Sequence, residues 1–589
     1  MAAVITPFQR LKWGVFPVRR IVDEDENGNF INLDEDVTDA SSSTEGGASI
    51  EKRDSKLETA QSVTKKEEEP EIEYRDEKDR PWWKFFDEYE YRVTTQEKRK
   101  RKWFKWFHDD DTPEEKKLIT KIDILLTFYS LMAYWVKYLD QTNLTNAYVG
   151  ASGNIKQGIG MKGNDFVNTQ VLFSVGNIIF QIPFMYVLYA FPLTYVLPAL
   201  DISWSVLTIC TSQVVNVPGL KAIRFFIGAF EAPSYIAYHA LFASWFKGST
   251  GEVTRRAGFY YIGQYLGILT SGLLSGAIVR TLGGVGGYEA WQWIFIVDGI
   301  ISFAVGIIGI YMIPGTPEDC YSIFLSDDDI RIARRRMRKD QKDAKPRENA
   351  FYHFFSWETW RKVLTSWHIY ILGLWNIFCW NNSNGTSGAY ALWLNSLKKS
   401  DGVTRRFSDG QLQDYTALTP ALGIIWLIIT STMADLFNTR YGAIVFSQVF
   451  NVLGNVLLAV WDIPERAKWF AFCMQYWGWS SAPALYSFLG DICRRDLRER
   501  QIILVSCNIL AQQSTAWIAT LVWKTVEAPR FLKGYSFTAA SGLALAVWSI
   551  PVLYLYRRQE RAGALDNNIV LYNSSKDKEK PDIEQVDEK

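Results

Sequence analysis

Apolar residues along this chain gather into twelve long runs separated by shorter polar stretches. The runs cover about 122–142, 168–190, 194–215, 219–243, 256–280, 291–313, 367–391, 415–437, 440–461, 467–490, 500–524 and 535–557. Crossing a bilayer takes about 20 mostly apolar residues, so each run predicts a membrane-spanning helix. The expected fold class is an all-α membrane protein with twelve transmembrane helices in two six-helix halves. A long basic gap, residues 314–366, separates the sixth run from the seventh. It carries Arg331, Arg334, Arg335, Arg336, Arg338, Lys339, Lys342, Lys345, Arg347, Arg361 and Lys362. Two helical halves with a cavity between them suit moving a small solute.

The flanks read differently. Residues 1–121 are expected to form a cytosolic N-terminal region, with a disordered Ser-, Glu- and Asp-rich stretch over 21–70. Its later part mixes Trp82, Trp83, Phe85, Phe86, Trp103, Phe104 and Trp106 with many charges. This predicts either a helix lying on the inner leaflet, held by Lys98 to Lys102, or a solvated charged helix. The remaining divisions are a first half at 122–313, a cytosolic loop at 314–366, a second half at 367–557 and a cytosolic tail at 558–589. Loop charge supports that orientation. Segments expected inside carry Lys98 to Lys102, Arg255, Arg256, the central loop, Arg494, Arg495, Arg498, Arg500, Arg557 and Arg558. Only the outer loop at 392–414 runs against the excess of Lys and Arg inside, which puts both termini in the cytosol.

Composition adds two corrections. Mean hydropathy is only -0.07, because charged flanks dilute a very apolar remainder. The 15% aromatic content and 24 Trp fit a protein with rings at two bilayer interfaces. The 6 Cys show no metal-ligand spacing, and Cys210, Cys379, Cys473 and Cys507, which fall in apolar runs, read as small core residues.

An ionisable side chain inside the hydrocarbon costs several kcal/mol unless it faces a cavity or a partner, which makes each one a functional candidate. Lys137 and Asp140 are three residues apart, able to pair on one helix face, and Asn143 and Asn146 extend that face. In RFFIGAFEAPSYIAYH, Arg224 and Glu231 share a face. Burial disfavours a charged carboxylate, so Glu231 and Asp140 are the proton-coupling candidates. Lys137, Asn143, Arg224 and Gln264 are candidate solute-binding residues in the first half. Four Asn and two Gly within WNIFCWNNSNGTSGAY predict a broken helix lining a cavity. Asn376, Trp380 and Asn381 are the candidates there. Asp201 and Asp298 read as structural. Gly263, Gly267, Ser271 and Ser275 recur every four residues, a close-packing stripe. In ADLFNTRYG, Asp435 and Arg440 sit in a tight turn where a charge pair can gate. No catalytic motif, nucleotide loop or metal cluster stands out, so neither an enzyme nor a hydrolytic pump is expected, and no cofactor or metal. The partners expected are a small-molecule solute, protons and membrane lipids, with no nucleic acid, and the chain is expected to act as a monomer.

The stretches EYRDEKDRPWWKFFDEYEYRV, AYWVKYLDQTNLTNAYV, LKAIRFFIGAFEAPSYIAY and GAYALWLNSLKK resemble the major facilitator superfamily. More narrowly, they resemble the fungal anion:cation symporters of the allantoate permease group, which includes biotin, pantothenate and nicotinate carriers. ADLFNTR resembles the superfamily's cytosolic-loop motif at Asp435 and Arg440, and RFFIG its fourth-helix arginine motif at Arg224 and Gly228. The chain departs from the pattern in its 2–3 loop, which lacks the charged motif, and at Gln292, where group members usually show Arg. The resemblance implies the major facilitator fold, alternating access and proton-coupled carriage of an anionic solute. The expected protein is a plasma-membrane secondary transporter of a vitamin, allantoate-like ureide or sulfur compound. The alternative is a non-transporting nutrient sensor.

Overall fold

The computed structural model describes residues 10–23, 72–94, 106–107, 111–149, 153–247, 252–340, 357–383, 387–399, 404–437, 439–494 and 497–576. The stretch 24–71 and Lys98 to Phe104 lie outside the described residues, as do Lys342, Lys345 and Arg347.

Each predicted run is occupied by a helix or by a helix in pieces. Before the long gap run α1 (Tyr129–Tyr148), α2 (Asp165–Ala190), α3 (Leu193–Thr211), α4 (Val217–Glu231), α5 (Ser234–Trp245), α6 (Glu252–Thr281) and α7 (Ala290–Met312). After it come α8 (Trp367–Trp380), α9 (Ala389–Ser396), α10 (Asp409–Thr416), α11 (Leu418–Leu436), α12 (Arg440–Val460), α13 (Glu465–Met474), α14 (Ala482–Ile492), α15 (Leu497–Val522) and α16 (Leu532–Ala562). Among the described residues, 8 helices are long and apolar enough to cross a membrane. Large apolar side chains such as Ile179, Phe226, Ile300, Ile308, Ile428, Val449 and Ile550 point outward. An apolar outer surface of this extent fits lipid as the surrounding solvent.

The breaks have local causes. Pro233 lacks an N–H and separates α4 from α5. The expected break in the seventh run falls after Trp380, and the helix resumes at Ala389 behind Gly388 at φ 71°. The first run continues back through a π-helical turn, Asp123–Phe128, to a helix at Pro113–Ile122 capped by Thr112 and Glu115.

Small residues set the helix crossings. A Cβ at Gly263 would lie 2.5 Å from the Leu131 carbonyl oxygen, and one at Gly267 would lie 2.5 Å from that of Trp135. The predicted stripe thus lays α6 directly on α1. A Cβ at Gly228 would run into the Phe173 carbonyl oxygen, and one at Gly176 into that of Phe225. Both are backbone atoms that cannot step aside. Gly228→Ala is therefore expected to abolish the monodisperse peak on size-exclusion chromatography. A normal elution profile would show that α2 and α4 can separate freely.

Contacts divide the chain into two units, 1–20 with 102–555, and 21–101 with 556–589. In the first, a hairpin of β1 (Leu11–Lys12) and β2 (Phe16–Pro17) is strapped to the start of the long gap. Arg10 donates to the carbonyls of Ile323 at 2.7 Å and Leu325 at 2.6 Å, and Arg19 pairs with Asp319 at 2.8 Å. In the second unit, β3 (Glu73–Asp76) pairs in parallel with β4 (Ile569–Tyr572). Glu90 is gripped by Arg80 and Arg557. Trp82–Phe86 forms a short 3-10 helix there, and the rest of the stretch expected to lie on the leaflet, Lys98 to Phe104, falls outside the described residues. Pro81 before it and extended Asp87 after it confine it to that length.

Candidate functional site

The first half turns its charges inward between α1, α4 and α7. Asp140 is fully buried and Arg224 is 2% exposed. Arg224 Nη1 donates to Asp140 Oδ2 at 3.0 Å, and Thr208 Oγ1 donates to Oδ1 at 3.1 Å. Lys137 Nζ lies 3.0 Å from Ser234 Oγ, 3.2 Å from the Glu231 carbonyl oxygen and 3.7 Å from Glu231 Oε2. Gln141 donates to the same carboxylate oxygen at 3.1 Å. The expected Lys137–Asp140 pair is thus replaced by two rungs across helices, Lys137–Glu231 and Asp140–Arg224. The positions that share a face of α1 meet the two that share a face of α4 in reverse order. Arg224 does not reach toward water, as a snorkelling arginine would; it is buried.

Two charged groups retain unused hydrogen-bonding capacity. Arg224 Nε and Nη2 have no hydrogen-bond partner, nor has Glu231 Oε1. The Arg224 guanidinium lies 5.5 Å from the Phe295 ring centre. One turn further along α7, Asp298 is fully buried and neither of its carboxylate oxygens has a hydrogen-bond partner. Asp201 and Lys137 line one small cavity of about 10 Å³, with Tyr134, Tyr238 and Tyr260.

Asn143 serves packing first. Its Oδ1 accepts from Ser271 at 2.9 Å, while Asn146 donates to Ser271 at 2.8 Å and to Ser275 at 3.2 Å. Gln264 is buried on α6, outside the ion-pair rungs. Gln292 has a clear local role. It closes a capping box with Glu289 and donates to the Ser212 carbonyl at 2.8 Å.

In the second half, Trp380 Nε1 donates to the Tyr486 hydroxyl at 2.7 Å. Asn376 Nδ2 reaches the Cys507 carbonyl at 3.0 Å, and Asn381 Nδ2 reaches Ser514 Oγ at 2.7 Å. These three tie broken α8 to α14 and α15. Sequence reading missed an amide stripe on α12, although Gln448, Asn451 and Asn455 stand at a helical spacing. Asn451 donates to the Asn382 carbonyl at 2.7 Å, exactly where α8 has ended, and to Gln448 at 2.9 Å. It also missed Tyr235 and Tyr486, whose ring centres lie 5.7 Å apart. Tyr235 follows Ser234, the partner of Lys137, and Tyr486 bonds Trp380. This contact joins the two candidate sets.

Of the expected gating residues, Arg440 has a partner on another helix. Arg440 Nη2 pairs with Asp491 at 2.8 Å, with its guanidinium 4.7 Å from the Phe488 ring centre. The Asp435 side chain lies outside the described residues. The halves also meet at the end that carries the 392–414 loop. Arg280 pairs with Asp414 at 2.7 Å, and Gln413 Nε2 donates to the carbonyls of Asn146 at 2.8 Å and Val149 at 3.3 Å.

A lipid-facing helical bundle in two halves, with charges lining its interior, is the architecture of a solute carrier. Residues 130–509 match the Major Facilitator Superfamily, and the chain belongs to it. It is similar to the vitamin H transporter of Saccharomyces cerevisiae, 38% identical over 515 residues, covering 87% of this chain and 85% of that protein. It is also similar to a pantothenate transporter of Schizosaccharomyces pombe, 27% identical over 76% of this chain and 84% of that one. Among solved structures, a POT family transporter in complex with 5-aminolevulinic acid shares the fold. Its TM-score is 0.50 at 11% identity, over 75% of this chain and 96% of that chain. The chain is thus a multi-pass membrane transporter and not an enzyme.

Proposed function

We propose that the chain carries a small polar organic anion of the vitamin class across the plasma membrane, by proton symport and alternating access, with both termini cytosolic. The observation that carries this reading is the buried Arg224, which spends one nitrogen on Asp140 and keeps Nε and Nη2 without a partner. A planar guanidinium with a free edge matches a carboxylate in geometry and charge. Lys137 adds a second positive charge. Trp380, held by Tyr486, offers an aromatic wall for the uncharged part of the solute. Asn376, Asn381, Asn143 and Gln264 shape the polar remainder, and Arg440 with Asp435 gates. Glu231 and Asp140 carry the coupling proton. Vitamin H and pantothenate, named for the similar carriers, each bear one carboxylate. The quoted sequence stretches resemble the allantoate permease group, and among its members a yeast putative permease linked to ethionine sulfoxide resistance. Ureides and sulfur amino-acid derivatives therefore belong in the test.

Uptake competition in cells lacking their own carriers tests this. Biotin, pantothenate, allantoate and sulfur amino-acid derivatives are compared with their carboxyl esters. The free acids of the transported class should compete, and their esters should not. Esters that compete as well as acids would remove Arg224 from solute recognition. A second reading, a non-transporting sensor, draws on the separate unit formed by 21–101 and 556–589. It predicts binding without flux.

A further inference from the structure

The charges inside the first half do not balance. Lys137 and Arg224 are two cations. Asp140, Asp201, Glu231 and Asp298 are four carboxylates. Asp140 and Glu231 have cationic partners, and Asp201 accepts from Trp204 Nε1 at 3.2 Å and lines a cavity with Lys137. Asp298 differs from all three. It is fully buried and both carboxylate oxygens lack a hydrogen-bond partner. Leaving an ionised carboxylate so placed costs several kcal/mol, whereas the neutral acid costs far less.

Its surroundings define what it can do. Phe295, one turn before it, lies beneath the Arg224 guanidinium. The charged groups acting on Asp298 are Asp140 on α1 and Arg224 and Glu231 on α4, and the uncharged Asn143 amide of α1, whose Nδ2 makes no close hydrogen bond, also faces it. From α3, Thr208 is committed to Asp140. The charged residues of α6 stand at its ends, at Glu252, Arg255, Arg256 and Arg280. Arg224 is therefore the cation available to an ionised Asp298, and its unpartnered edge is the part that would serve.

We propose that Asp298 is a further proton site of this carrier, and that its carboxylate and the solute's carboxylate compete for the free edge of Arg224. This rests on the reading of Arg224 as the anion's partner. With its proton in place, Asp298 is neutral and leaves Nε and Nη2 to the solute. When Asp298 gives its proton to water, the new carboxylate takes that edge and the anion leaves. Proton binding therefore precedes anion binding. The unpaired Asp298 and the two rungs seen here correspond, on this proposal, to the state ready for solute.

Two measurements on the purified full-length protein test this. In an infrared pH titration without solute, a buried carboxylic-acid C=O band should vanish as pH rises. Asp298→Asn should lack that band, and Asp298→Glu should shift it if Asn at this site does not fold. A band unchanged in both variants overturns the proposal, whatever the solute is. In parallel, biotin and pantothenate binding is followed against pH. Wild-type affinity should fall about tenfold per pH unit once the Asp298 proton is lost, and Asp298→Asn should bind with no such slope. An unaltered slope in Asp298→Asn also overturns it. If neither probe binds wild type, the solute reading fails, and the infrared band alone decides on Asp298.

Discussion

Arg224→Ala is expected to destabilise the folded carrier by about 3–5 kcal/mol, the usual cost of removing one partner from a buried ion pair. The cost arises from what stays behind. Asp140 is fully buried, with Thr208 as its remaining hydrogen-bond donor. A lone carboxylate in that setting keeps the desolvation penalty and loses the attraction. Denaturant or thermal unfolding in detergent measures it. Asp140→Asn combined with Arg224→Gln should recover most of the loss, because two neutral side chains of similar shape strand no charge. Failure of the double variant to recover stability would mean that the guanidinium serves packing more than charge. Arg224→Lys should fold better than Ala yet bind solute poorly, since an ammonium lacks the planar fork.

Glu231→Gln should leave a folded protein that exchanges solute and accumulates less of it. Lys137 keeps its bonds to Ser234 and to the backbone carbonyl of residue 231, so the rung survives in outline. One of the groups proposed to take up and release a proton is gone. With one coupled proton, a gradient of one pH unit is worth about 1.4 kcal/mol, or a tenfold accumulation. The variant should accumulate about tenfold less than wild type under that gradient while counterflow continues. Accumulation at the wild-type level would take Glu231 out of the coupling path.

The fold was legible because lipid imposes length and apolarity on every span. Runs near 20 residues marked each helix or broken helix, and the Asn-rich stretch after Trp380 marked a real break. Pairing was not legible. Residues three or seven apart report only that they share a helix face, so Lys137 and Asp140 looked like partners. The reversed order in which α4 meets α1 makes each of them pair across the interface instead. Arg440 likewise found Asp491, 51 residues on, which no local spacing could show. Asp298 read as structural, since its sequence neighbours do not show what it meets. Its neighbours come from α1 and α4. The joining of β3 to β4 links residues 73–76 to 569–572, a pairing that periodicity cannot express. Gln448, Asn451 and Asn455 were visible as a stripe, but amides in an apolar run carry a weaker signal than charges.

The most direct measurement is uptake into proteoliposomes that hold the purified protein, with the interior more alkaline than the medium. The labelled solute is the free acid that wins the competition panel. The account predicts accumulation above the outside concentration, collapse on adding a protonophore, and loss in Arg224→Gln. Binding without entry, or entry that stops at equal concentrations despite the gradient, would contradict it.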